Sequence, residues 1–110
     1  MNINYTFRHM ESSPAAREFV ETKLQRLKRL LEHEHGPINV EVVLEAAETH
    51  HHHKVEIRLK TPNYDIIAQR QGPEMYAVID QVVDVLHQEL IKAKEKRVDA
   101  NKQRERPGKE

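Results

Sequence analysis

Apolar residues in this chain switch between a spacing of two and a helical spacing of about 3.6, and the order of the switches leaves room for few folds. Ile3, Tyr5 and Phe7 alternate with Asn2, Asn4, Thr6 and Arg8, as in a strand with one buried face. Ser12-Ser13-Pro14 then opens a helix, with serine as the cap and proline in the first turn. Ala16, Phe19, Val20, Leu24, Leu27, Leu30 and Leu31 form one stripe along it, and Gly36-Pro37 ends it. Alternation returns at Ile38, Val40, Val42, Leu44 and Ala46, and again at Val55, Ile57 and Leu59. Thr61-Pro62-Asn63 reads as a turn, followed by a shorter, weaker strand from about Tyr64 to Gln71 and a break at Gly72-Pro73. A long helix is predicted from Pro73 to about Val98, with Met75, Ile79, Val82, Val83, Leu86, Leu90 and Ala93 on its apolar face.

The order β-α-β-β-β-α predicts an α+β, two-layer architecture. Each strand has one polar face, so both helices pack on the other face of a four-stranded sheet. A right-handed first crossover makes the first two strands parallel, and the rest follow as an antiparallel meander. The 110 residues suit one domain, placed here at residues 1–98, with a disordered charged tail over 99–110.

Composition removes several classes of function. The absence of cysteine rules out disulfides, thiolate nucleophiles and thiolate metal sites. Residues 1–20 carry charges and no signal-peptide apolar run, and no segment approaches the roughly 20 apolar residues of a membrane span. The location expected is cytoplasmic, with no membrane partner. Formal net charge is zero, but residues 92–110 carry 8 basic and 4 acidic side chains while residues 37–91 carry 4 and 9. Screening confines such fields to about 10 Å, so the basic end acts locally and suits phosphate.

Candidate chemistry is sparse. Asp80, Asp84 and His87 share one helical face, a spacing metal ligands can use, but no second cluster completes a coordination shell and a solvated face explains them as well. The run His50–His53 lies between two strands and reads as an exposed loop. His33 and His35 sit where positive charge favours a helix C-terminus. Three glycines form no phosphate loop, and no serine or threonine sits in a nucleophile motif, so neither an enzyme nor a cofactor is expected. The cations are more informative. Arg17 and Lys28 share a face of the first helix, Arg26 and Arg29 extend it, and Lys23 snorkels from the edge of the apolar stripe. Lys92, Lys94, Lys96 and Arg97 crowd the end of the second helix, more charge than helix capping needs. That helix is about 39 Å long and a seven-residue strand about 23 Å, so its basic end overhangs the sheet as a prong. Tyr5, Phe7 and Phe19 suit the core and only Tyr64 is free to stack, so contacts go to phosphate and ribose and read RNA shape.

Three stretches carry a family resemblance: Met1–Leu27, Pro73–Leu90 with its E-M-Y-A-x-I-D core at Glu74–Asp80, and "IKAKEKR" at Ile91–Arg97. Over about residues 1–98 the chain resembles the ribosome hibernation promoting factors. The resemblance implies a fold like that of double-stranded-RNA-binding domains. It also implies a translation inhibitor in the decoding channel of the small ribosomal subunit, which keeps idle ribosomes inactive in stationary phase or stress. The partners it implies are the small subunit, its decoding-region rRNA and the whole ribosome, with the protein a monomer when not bound. Carried over by position, Arg17, Lys23, Arg26, Lys92, Lys94 and Lys96 match the family's basic positions. The alternative from the residues themselves is a double-stranded-RNA-binding module with a non-ribosomal target. The His-rich segment at residues 48–53 and the tail depart from the family pattern.

Overall fold

In the computed structural model the backbone is described for residues 1–47 and 52–105, with side chains for residues 1–47 and 52–98. The elements are β1 (Asn2–Arg8), α1 (Pro14–Lys28), a 3-10 turn (Arg29–Leu31), β2 (Asn39–Glu45), β3 (His53–Lys60), β4 (Asp65–Gly72) and α2 (Met75–Glu105). The sheet order is β1-β2-β3-β4. β1 runs parallel to β2, and β2–β3 and β3–β4 pair antiparallel, as the crossover argument requires.

The inner face of the sheet presents Val40, Val42, Leu44, Val55, Ile57 and Leu59, each no more than 1% exposed. Val20, Leu24 and Leu27 of α1 and Ile79, Val82, Val83, Leu86 and Leu90 of α2 close over them as one core. Burying each such aliphatic side chain is worth about 1.5–3 kcal/mol, which outweighs the moderate helix propensity of these sequences. Tyr5 and Phe7, expected inside, are only half-buried because β1 is an edge strand; they stack at 6.2 Å and the Arg17 guanidinium covers both rings.

Local chemistry sets the element boundaries. The Ser13 side chain accepts from the Ala16 amide at 3.1 Å and caps α1. Ser13→Ala is expected to cost about 1 kcal/mol of unfolding free energy, readable by chemical denaturation. α1 ends earlier than its apolar stripe suggests: the chain tightens at Arg29–Leu31, which leaves Leu31 2% exposed. Lys94 Nζ donates to the Leu30 carbonyl at 2.8 Å and satisfies one terminal acceptor. Gly36 is therefore not the helix stop. It lies against the β3–β4 turn, where a Cβ would meet Pro62 Cγ at 2.6 Å.

Three other boundaries differ from the sequence reading. β4 pairs with β3 along its full eight residues, so it is not the shorter strand. Its pattern is faint because it is the other edge strand, with Ile67 55% exposed. β3 begins at His53, whose half-buried ring accepts the Ala47 amide at 3.3 Å, so His53 belongs to a strand and not to the loop. His50 and His51 lie outside the described residues, and His52 is exposed. α2 continues to Glu105, past the predicted end at Val98, so residues 99–105 are helical and not a disordered tail. Ala100, Lys102, Gln103, Arg104 and Glu105 are tolerant of helix, and the first breaker is Pro107. Residues 106–110 of that tail lie outside the described residues.

Candidate nucleic-acid interface

α1 and α2 run in the same direction, side by side, across the sheet. Their contacts form a ladder: Phe19 meets Tyr76 edge-to-face at 4.9 Å, Lys23 pairs with Asp80 at 3.1 Å, Arg26 pairs with Asp84, and Lys94 reaches Leu30. The nine predicted cations therefore fall into three groups along this seam. Arg17 lies at the start of α1, folded over Tyr5 and Phe7. Lys23 and Arg26 lie midway, each against an aspartate. Arg29, Lys92, Lys94, Lys96 and Arg97 lie toward the end where α1 stops and α2 passes it, at the level of Lys28, which points away from α2 into a groove beside Met1, Ile3, Glu21 and Gln25.

That last end is well braced. The Thr61 hydroxyl accepts from the Asn63 and Tyr64 amides at 3.1 and 2.9 Å, which tightens the β3–β4 turn. Asn63 donates to Glu34 at 3.0 Å, tying the turn to the loop after α1. The Arg97 guanidinium lies 6.0 Å from the Tyr64 ring centroid, so the one aromatic expected to be free is already engaged. A groove of about 390 Å³ opens here between His33, His35, Tyr64, Lys94 and Arg97. Beyond it α2 projects. Its 31 residues make about 46 Å of helix, against about 26 Å for an eight-residue strand, so the prong is longer than predicted. The roles are unequal. Lys94 is half-buried and structural, Lys92 is an exposed i,i+3 partner of Glu89 at 3.6 Å, and Lys28, Arg29 and Lys96 are exposed.

Glu34 provides a pH handle on this end. Burial opposes its charge, but polar contacts with Thr61 and Asn63 and the nearby Arg97 outweigh burial and hold its carboxyl below the ordinary 4.5. A depressed pKa contributes stability above the ordinary value that disappears as pH falls through the folded one. Glu34→Gln is expected to destabilise the protein at neutral pH. The gap from wild type should narrow below about pH 4.5, as followed by urea unfolding across pH.

The open face of the sheet is a poor rival for phosphate. It carries Arg8, Lys54, Arg58 and Lys60 against Glu41, Glu45, Glu56 and Asp65, so its charges cancel. Arg58 grips Asp65 through two hydrogen bonds of 2.9 and 2.7 Å, which raise the pKa of the arginine and lower that of the aspartate. The metal reading of Asp80, Asp84 and His87 gives way to the ladder, in which each aspartate is ion-paired through its Oδ1 to Lys23 or Arg26. Among the described residues no group of three or more His, Cys, Asp or Glu side chains is placed to hold a metal ion. Among them, too, no helix is long and apolar enough to cross a membrane. Sequence reasoning singles out the aspartates but not their partners. The available signal is that Lys23/Arg26 and Asp80/Asp84 each recur about one turn apart on separate helices.

The molecule is a two-layer α+β domain whose open sheet face balances its charges and whose second helix carries exposed cations near its distal end. The chain belongs to the family described as Sigma 54 modulation protein / S30EA ribosomal protein, which it matches over residues 3–98. It is 32% identical over 96 residues to the ribosome hibernation promoting factor of Pseudomonas putida, covering 87% of this chain and 89% of that one. The Azotobacter vinelandii factor of the same name is 31% identical over 107 residues, covering 97% and 94%. Among solved structures, the N-terminal domain of Thermus thermophilus Protein Y superposes with a TM-score of 0.70 at 32% identity, covering 82% of this chain and 96% of that one. A ribosomal subunit interface protein from Coxiella burnetii gives 0.73 at 28% identity, covering 86% and 98%.

Proposed function

We propose that this protein binds the ribosome and silences it, acting as a hibernation factor. In this reading it lies in the decoding channel of the small subunit, where its helices contact rRNA. It thereby blocks initiation and keeps idle ribosomes inactive in stationary phase or stress. The observation that carries the reading is the cationic stretch Lys92–Arg97 of α2, braced against the end of α1 and the β3–β4 turn, beside a sheet face whose charges cancel. Phosphate contacts of this kind position a protein on folded RNA without reading base sequence. The relatives' names supply the ribosome as the target. The protein acts as a cytoplasmic monomer until it docks, and it carries out no chemistry on the RNA.

Gradient sedimentation of cell extract tests this directly. The protein should travel with small subunits and whole ribosomes at low salt and leave them as salt rises. Migration at the top of the gradient under all conditions, with retention on duplex RNA, would instead favour the non-ribosomal RNA-binding module.

A further inference from the structure

We propose that Asp80 and Asp84 make the helix seam selective for RNA over DNA by accepting ribose 2′-hydroxyls. This assignment rests on the reading that RNA lies along the two helices. Each carboxylate gives its Oδ1 to a cation of the facing helix, Asp80 to Lys23 at 3.1 Å and Asp84 to Arg26. Neither is buried by the pairing: the Asp80 and Asp84 side chains stay 46% and 49% exposed. Among the described residues no hydrogen bond reaches either Oδ2.

A cation masked in this way is a weak trap for bare phosphate, since the carboxylate cancels its charge and repels the incoming anion. A ribonucleotide strand matches the pair better. Its 2′-hydroxyl donates to the unpaired Oδ2 while a neighbouring phosphate takes the remaining N–H groups of Lys23 or Arg26. Deoxyribose offers no such donor and sets phosphate against carboxylate. The i,i+4 spacing puts the two aspartates about one helical turn apart on one face, so the seam presents two such acceptor–cation pairs in a row. The 2′-hydroxyl is what separates RNA from DNA at a protein surface, and an ionised carboxylate is a strong acceptor for it.

The test measures binding of the full chain to duplex RNA and duplex DNA of one sequence, at several salt concentrations, alongside binding to purified small subunits. Wild type should prefer RNA by about tenfold or more, the worth of one hydrogen bond to a charged group. In D80A/D84A, Lys23 and Arg26 become available to phosphate. DNA binding should tighten, its salt slope should steepen by up to about 1.8, and the RNA preference should collapse. D80N/D84N removes the charge but keeps an acceptor, so DNA binding should tighten while part of the preference survives. An unchanged RNA-to-DNA ratio in either folded variant overturns the assignment, as does a wild type without preference. Failure of wild type to bind small subunits would refute the ribosomal reading itself, whereas subunit binding with an unchanged ratio refutes only the role of the aspartates.

Discussion

Replacing Lys92, Lys96 and Arg97 together with glutamate should weaken binding to the small ribosomal subunit by about a hundredfold or more, with little change in thermal stability. These side chains are exposed and outside the core. Lys92 and Lys96 hold no part of the fold together, and Arg97 touches it only at the surface, over the Tyr64 ring and near Glu34, so its reversal adds at most a small loss of stability. Their pairings are weak. Lys92–Glu89 at 3.6 Å is an exposed pair of the kind that contributes at most about 1 kcal/mol. A cation that neutralises one phosphate contributes about 0.7 to 0.9 to the slope of log affinity against log salt, so the triple variant should flatten that slope by about 2 to 3. Lys94 is left out because it closes the end of α1 through the Leu30 carbonyl, and its reversal would mix stability with binding. Reversing Lys54 and Lys60 on the sheet serves as the control and should matter much less. A folded triple variant with wild-type affinity and slope would remove the prong from the interface.

Leu86→Ala should cause a large fall in stability, about 2 to 5 kcal/mol, with Tm lower by at least about 10 °C. Leu86 is fully buried in α2, in the core it shares with Ile57 and Val83. Truncation there leaves a cavity that the sheet and helices, each held by its own hydrogen-bond pattern, cannot fill by moving. Below its lowered Tm the variant should still bind ribosomes normally, because the cations stay where they were. Thermal denaturation paired with a binding assay at low temperature separates the two effects. Weak binding by the folded variant would mean that the seam between the helices, and not only its end, depends on the packing of α2.

Most of the architecture is legible in the sequence because it rests on periodicity. Val40–Val42–Leu44 and Val55–Ile57–Leu59 alternate strictly, being central strands with one wet face, and both appear where the pattern puts them. β4 gives a weak signal because its outward Ile67 and its polar run Gln69–Arg70–Gln71 blur the alternation, as an edge strand permits. The end of α1 is hard to place because Leu30 and Leu31 continue the apolar stripe into a 3-10 turn, where side chains still point inward. The end of α2 is hidden by composition: a polar, charged stretch looks disordered, yet helix propensity and the late Pro107 carry the helix to Glu105.

The site divides along the same line. The order of elements, the inward faces and the crowding of cations on the distal part of α2 are properties of neighbouring residues, and the chain's own pattern is enough to find them. What those cations face is a property of packing. Arg26 and Asp84 stand 58 residues apart, and nothing local links them. Laying both helices in parallel on one sheet brings that pair together, sets Lys23 against Asp80, and draws Lys94 onto the carbonyl of Leu30. Charge is read from composition, but whether a charge is paired depends on distance, and distance between remote residues exists only once the chain has folded.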